Sequence, residues 1–353
     1  MKAGRLLMIG FEGIKLPIDF EPLIKKYGIG GFVLFDRNLK DPEQIIMLNQ
    51  SLHGLEDGFT PIIAVDQEGG RVQRLKHPFT RLPSAKKIGE SYIKHNDIKL
   101  IYEYGKMMAD ELSMAGFNMN LMPVIDLSIK ENGVIGDRVF SDDVLIIEEI
   151  GASIIAGMQD NGIIACAKHF PGHTDTQVDP HKESVSININ METLTHHIRP
   201  FIHVAKNYVG SIMASHTIFK AVDDAPVSIS NKFIHEILRK EIGFNGIILT
   251  DDMKMGAISK HYTPFEALVN ALNADADMIM LSITTPQEFE NIMQELDRTI
   301  NNGMINKDRI EASLLRIDTI KKFIGIKEQM SASINDLLSL FNDKTHMAVM
   351  KHL

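Results

Sequence analysis

GIILTDD, residues 246–252, runs four uncharged residues, Ile247–Thr250, straight into two adjacent carboxylates. A run that is apolar at successive positions, instead of at every second one, is the pattern of a strand buried on both faces. The abrupt change at Asp251 marks where such a strand leaves the core. Seven other runs repeat the pattern: LLMIGF (6–11), GGFVLF (30–35), PIIAVD (61–66), NMNLMPVIDL (118–127), IIACAKHF (163–170), GSIMASH (210–216) and ADMIMLS (276–282).

Helix-compatible stretches separate them. DPEQIIMLNQSLHGL opens with an acidic cap, and DIKLIYEYGKMMADELSMAG is long and amphipathic. SDDVLIIEEIGASIIAGMQDNG, with Ser141 as its expected cap, NKFIHEILRKEIG and TPFEALVNALNADA obey the same rule. Eight strand–helix alternations predict an α/β fold, a single (β/α)8 TIM-type barrel. The alternative is a doubly wound open sheet, but no G-x-G-x-x-G follows the first strand. The barrel is expected over residues 1–325, with one helix from near Pro286, another over roughly 306–324, and Gly325 as its cap. A C-terminal helical tail, 326–353, is expected to pack on the barrel or on a partner.

Hydrophobic residues make up 44% and charged residues 24% of the 353-residue chain, values that suit a globular protein with a sizeable core. The net charge of −9 argues against a nucleic-acid partner, which needs a basic surface. The one cysteine, Cys166, lies in an apolar run and reads as a buried thiol. No apolar run approaches a membrane span, and MKAGRLLMIGF reads as a first strand instead of a signal peptide. A cytoplasmic protein without a membrane partner, monomeric or a weak homodimer, is expected.

The polar residues gather where the runs end. Glu12, Asp36, Arg37, Asp66, Glu68, Asp126, Lys168, His169, His216, Asp251 and Asp252 all follow an apolar run or close it. A barrel builds its active site at the C-terminal mouth of its strands, so one fold decision brings these groups together. Neighbouring carboxylates on extended backbone point to opposite sides. Asp252 then suits a bond to nearby backbone, and Asp251 suits a nucleophile. In VDQEGGRVQRL, Gly69 and Gly70 allow a tight turn that lifts Arg71 and Arg74 over the mouth. Asp66 and Arg74 could contact sugar-like hydroxyls or simply pair with each other. Arg138, in GDRVFSDD, would alone read as surface charge.

KHFPGHTDTQVDPH, residues 168–181, concentrates three histidines in one loop. A zinc site could draw on His169, His173, Asp175, Asp179 and His181, but there is no H-E-x-x-H and no second ligand cluster. Asp179 and His181, two apart, share a face on extended backbone, so the carboxylate can orient the imidazole and favour its protonated form.

This loop resembles the K-H-F-P-G-H-G-D-T-x-x-D-S-H signature of family 3 glycoside hydrolases, in the β-N-acetylglucosaminidase (NagZ-type) branch. IGGFVLFDRN, AVDQEGGRVQRL, FNMNLMPVIDL and GIILTDDMKMGA are similar to further family motifs in family order, over roughly residues 5–285. The resemblance implies a lone barrel and a retaining mechanism with no cofactor and no metal. It implies Asp251 as nucleophile, His181 paired with Asp179 as acid/base, and Asp66, Arg74, Arg138, Lys168 and His169 as contacts to N-acetylglucosamine (GlcNAc). The implied substrate is a small carbohydrate, a GlcNAc-containing muropeptide or a chitooligosaccharide. Two positions depart from the signature: Pro180 stands for its serine and Thr174 for its glycine. Pro180 fixes φ and pushes Asp179 toward extended geometry. Phosphorolysis or β-glucosidase activity on the same fold, a metal-dependent hydrolase and an inactive sugar-binding barrel are the rival readings.

Overall fold

The computed structural model describes residues 2–56, 58–127, 135–173, 185–326, 333–341 and 343–353. Each of the eight apolar runs contains one barrel strand. They are β1 (Leu7–Ile9), β2 (Gly31–Leu34), β3 (Ile62–Val65), β4 (Met119–Asn120), β5 (Ile164–Phe170), β6 (Ser211–Ala214), β7 (Ile247–Thr250) and β8 (Ile279–Leu281). Neighbours in sequence pair in parallel, Gly31 opposite Ile62 and Ile247 opposite Ser211, for example. Leu7 faces Ile279, and a bridge between Leu249 and Met278 closes the ring. The protein is a (β/α)8 barrel. Every barrel-strand residue is buried, which is why the runs never alternate. Cys166 on β5 is fully buried, and burial pushes its thiol up to about 12.

The helices start where the sequence supplies caps. Asp41 accepts the Gln44 N–H at 2.9 Å, and Asp97 accepts that of Leu100 at 3.1 Å. Asp41, Thr263 and Thr285 are each followed by proline at the first helical position, where a missing N–H costs nothing. The helix Val144–Gln159 corrects one expectation. Its cap is Asp143, which accepts the Leu145 N–H at 2.9 Å, while Ser141 accepts the N–H of Asp143 and sits a turn outside.

The end of the barrel opposite the mouth carries an ionic brace that the sequence did not suggest. Asp277, fully buried just before β8, accepts the Ile248 N–H at 2.9 Å and pairs with Arg239. Asp275 takes Arg309 at 2.8 Å and Arg316 at 3.0 Å, both from the helix Lys307–Ile324. That helix ends at Gly325 in the left-handed region. The helices Ile334–Leu340 and Lys344–His352 lie against the helix Ile98–Ala115.

Candidate active site

A cavity of about 400 Å³ opens at the C-terminal mouth of the strands. Asp66, Glu68, Arg74, Arg138, Lys168, His169 and Asp251 all line it. They come from the ends of β3, β5 and β7 and from the loops after β3 and β4, so the fold gathers residues that are as much as 185 positions apart (66 to 251).

One wall is a chain of charge pairs. Lys168 Nζ stands 2.7 Å from Asp66 Oδ1 and 2.7 Å from Glu68 Oε1. Arg138 closes a two-bonded fork on Glu68, Nε to Oε2 at 2.8 Å and Nη2 to Oε1 at 2.9 Å. Burial alone would raise the carboxyl pKa values of Asp66 and Glu68. Lys168 and the arginines outweigh it, holding Asp66 below its ordinary range and bringing Glu68 down to about 2. Burial likewise disfavours the Lys168 ammonium, and the two carboxylates reverse that effect. The four groups remain charged, and their charges cancel. Such a wall offers both donors and acceptors without net charge, which suits a neutral ligand rich in hydroxyls, whose O–H groups donate and accept. Leu121, Met213 and Met280 add apolar surface to the same cavity.

Arg74 reaches the cavity from a hairpin, Gln67–Gly69 against Val72–Gln73. Gly69 at φ 98° and Gly70 at φ 58° make its turn, and a Cβ at Gly69 would fall 2.2 Å from the Pro83 carbonyl oxygen. Arg74 Nη1 lies 2.9 Å from Asp36 Oδ2, and Nη2 lies 3.6 Å from Asp66 Oδ2. The two readings of the Asp66–Arg74 pair therefore coincide: an ion pair holds the hairpin, and both residues face the cavity. Arg71 does not join them. Its guanidinium turns to Asp137 at 3.1 Å and to the Ile135 carbonyl at 3.0 Å.

Behind the end of β5, Asp126 is fully buried and holds two histidines. Its Oδ2 accepts from His169 Nδ1 at 2.8 Å, and its Oδ1 accepts the backbone N–H groups of His169 and His173 at 3.2 and 2.8 Å. Asp126 thereby fixes the orientation of the His169 ring through Nδ1. Burial would raise the Asp126 pKa, but His169 and His173 hold it well below the carboxylate range. The His173 ring meets His169 edge-on, 4.8 Å between centroids, and burial with the His169 charge lowers it to about 4. It is a neutral ring at ordinary pH.

Asp251 and Asp252 divide their work. Asp252 Oδ1 accepts the N–H groups of Lys254 at 3.0 Å and Ser282 at 2.9 Å, tying the loop after β7 to the end of β8. Asp251 is positioned by its own N–H to the Ala214 carbonyl, 2.9 Å, and one of its oxygens accepts the Asp252 N–H at 2.8 Å.

The structure thus places Asp251, Asp66, Arg74, Arg138, Lys168 and His169 on one cavity; Asp179 and His181 lie outside the described residues. Several strand-end residues support the lining without joining it. Glu12 pairs with Arg37 at the exposed rim, Asp36 holds Arg74, and His216 donates from Nε2 to the Asp252 carbonyl while its Nδ1 bonds the Ser228 hydroxyl. Sequence reasoning brought Glu68 and Asp126 to the barrel mouth without saying what they hold, and weighed His173 only as a metal ligand. Glu68 lies two positions beyond the run that ends at Asp66, and only its partners, 70 and 100 residues away, reveal what it holds.

A charge-balanced cavity with a strand-end aspartate at the mouth of a (β/α)8 barrel suits a glycosidase. Residues 1–320 match the glycosyl hydrolase family 3 N terminal domain, and the chain belongs to that family of enzymes. It is 32% identical over 334 residues to the β-hexosaminidase of Nitrosomonas eutropha, covering 92% of this chain and 95% of the relative. To the β-hexosaminidase of Hydrogenovibrio crunogenus it is 34% identical over 279 residues, 78% of each chain. Among solved structures it resembles a family 3 β-N-acetylglucosaminidase from Paenibacillus sp. str. FPU-7, with TM-score 0.88 and 29% identity, over 99% of this chain and 68% of that one. Native NagZ from Neisseria gonorrhoeae shares the fold, with TM-score 0.78 and 24% identity, over 98% of this chain and 96% of that one.

Proposed function

We propose that this enzyme is a retaining exo-β-N-acetylglucosaminidase that removes terminal β-linked GlcNAc from soluble muropeptides or chitooligosaccharides in the cytoplasm. The observation that carries the reading is Asp251 lining a cavity that also has a charge-balanced wall. The names of the relatives above support the choice of GlcNAc.

In this reading Asp66, Arg74, Arg138, Lys168 and His169 hold the sugar. An oxygen of Asp251 attacks the anomeric carbon, and the bond to the leaving oxygen breaks with its electron pair going to that oxygen. His181, oriented by Asp179, gives the leaving oxygen a proton. Water then loses a proton to His181 and attacks the same carbon. The ester bond breaks, Asp251 regains its charge, and two inversions give net retention. Asp252 is unsuited to the first step because two backbone N–H groups already hold one of its oxygens.

Trapping with a fluorinated GlcNAc analogue, followed by mass spectrometry of the digested protein, tests the assignment. The label is expected on Asp251. A label on any other side chain would overturn the assignment, and inverted product stereochemistry would overturn the mechanism.

A further inference from the structure

The barrel closes where β1 meets β8, and beyond both strands a side chain from a third element joins them. The Gly10 N–H donates to the Leu281 carbonyl at 2.8 Å, and the Thr284 N–H donates to the Gly10 carbonyl at 2.9 Å. A Cβ at position 10 would collide with the Ser282 carbonyl, so glycine permits this close approach. Arg37, in the short turn after β2, spans the seam. Its Nε donates to the Phe11 carbonyl at 3.1 Å, past the end of β1, and its Nη2 donates to the Ser282 carbonyl, past the end of β8.

The guanidinium is held in one plane. Its central carbon lies 4.5 Å from the centroid of the Phe35 ring, and stacking of this kind fixes the fork that faces the two carbonyls. Phe35, Arg37, Asp251, Asp252 and Ser282 all line the catalytic cavity. Glu12 also reaches Arg37, at 3.3 Å, but its side chain is 66% exposed, and an exposed ion pair contributes little. The backbone carbonyls are the firmer hold, because charge-assisted hydrogen bonds are about twice as strong as neutral ones.

Ser282 is thereby gripped from two sides. Arg37 takes its carbonyl, and Asp252 Oδ1 accepts its N–H at 2.9 Å. The Asp252 N–H in turn donates to Asp251 Oδ1 at 2.8 Å. A continuous series of contacts runs from Arg37 through Ser282 and Asp252 to the carboxylate of Asp251. Burial disfavours the charge on Arg37, whereas Glu12 and Asp252 favour it, so Asp252 is coupled to the guanidinium by charge as well as through Ser282.

We propose that Arg37 is the positioning residue for the nucleophile: by clamping Ser282 it fixes Asp252, and through Asp252 it holds the Asp251 carboxylate in the orientation that attack requires. This rests on the assignment of Asp251 above and gives Arg37 no share in holding the sugar.

Labelling by the fluorinated GlcNAc analogue tests this role, because its saturating rate reports attack and its half-saturating concentration reports binding. Arg37→Ala is expected to lower the saturating rate on the order of tenfold to a hundredfold, the size of a misplacement of about 1 Å. The half-saturating concentration should change by less than about twofold, as for a loss confined to the transition state. Free guanidinium at a sub-denaturing concentration should restore part of the rate in Arg37→Ala, whereas urea, its neutral isostere, should not. Arg37→Lys keeps the charge without the planar fork, so its rate should fall between those of Arg37→Ala and the parent. It carries the same test if Arg37→Ala does not fold. An unchanged saturating rate in either folded variant, even with a lower melting temperature, would reduce Arg37 to a structural latch and overturn the proposal. So would a raised half-saturating concentration at unchanged rate, the mark of a sugar contact, or equal recovery by urea. Failure to label the parent, or a label elsewhere than Asp251, would instead strike the assignment of the nucleophile.

Discussion

Glu68 grips Arg138 with both oxygens, at 2.8 and 2.9 Å, and one of those oxygens also lies 2.7 Å from the Lys168 ammonium. This carboxylate therefore fixes two of the cations that face the cavity. Removing one partner of a buried pair leaves the others uncompensated, at a cost of about 3–5 kcal/mol. Glu68→Ala is expected to lower unfolding stability in urea by about that amount, and Glu68→Gln by less. The catalytic signature should be a raised KM with a smaller change in kcat, because on the proposed reading the sugar contacts are loosened and the reacting carboxylate is untouched. The carboxyl is brought down to about 2 from an ordinary 4.5. Its stabilisation is present above the unfolded value and is lost as pH falls through the folded one. The stability gap between parent and Glu68→Gln should accordingly be full at pH 6 and nearly closed at pH 2.

Asp251 and Asp252 are adjacent, yet their substitutions should read differently. Asp251→Asn is expected to abolish turnover of every β-GlcNAc substrate, good leaving group or poor, with little change in melting temperature. Asp252→Asn removes the charge behind two backbone hydrogen bonds between the β7 loop and the end of β8. It should lower stability by about 1–3 kcal/mol, since hydrogen bonds to charged groups lie in that range. Comparable stability losses in both variants, with activity retained in Asp251→Asn, would reverse the assignment.

His173 supplies a pH signature of opposite chemistry. Its folded pKa is about 4, below the ordinary 6.5, so the folded state holds it neutral. Between these two values the unfolded chain binds the extra proton, and stability falls as pH is lowered through that window. The stabilisation is fully present above the unfolded value. At 1.36 kcal/mol per unit the whole effect is about 3 kcal/mol. Urea unfolding of His173→Gln should show a correspondingly flatter dependence between pH 7 and pH 4. An unchanged slope would mean that another buried group carries the transition.

Much of this architecture was legible because burial on both faces leaves an uninterrupted apolar run, and each of eight such runs holds a strand. The division of Asp251 from Asp252 was legible for a related reason, the alternation of side chains along extended backbone. The Glu68–Arg138–Lys168 cluster was not. No local pattern distinguishes Arg138 from a surface arginine, and it becomes a buried one only when the fold delivers Glu68 from 70 residues away. The Asp275 and Asp277 brace was hidden in the same way, because its arginines come from two separate helices. The misplaced Ser141 cap shows a smaller limit: in a run such as SDD three residues compete, and only the backbone decides which one opens the helix.

The leaving-group dependence of His181→Ala tests the acid assignment. A general acid matters in proportion to how badly the departing oxygen needs a proton, and such groups contribute about 10²–10⁴-fold. His181→Ala is expected to lose activity in that range on chitobiose, whose sugar leaving group is poor. With an activated nitrophenyl glycoside the loss in kcat/KM should be far smaller, because the phenolate departs without help. Turnover of the activated substrate would then stall at the second step, where water needs His181 as a base. Azide needs no base, so adding it should restore turnover and yield a β-glycosyl azide. Asp179→Asn should show the same pattern more weakly, since on the proposed reading it removes the carboxylate that favours the protonated ring. Equal losses for good and poor leaving groups, or no response to azide, would show that His181 is not the proton donor.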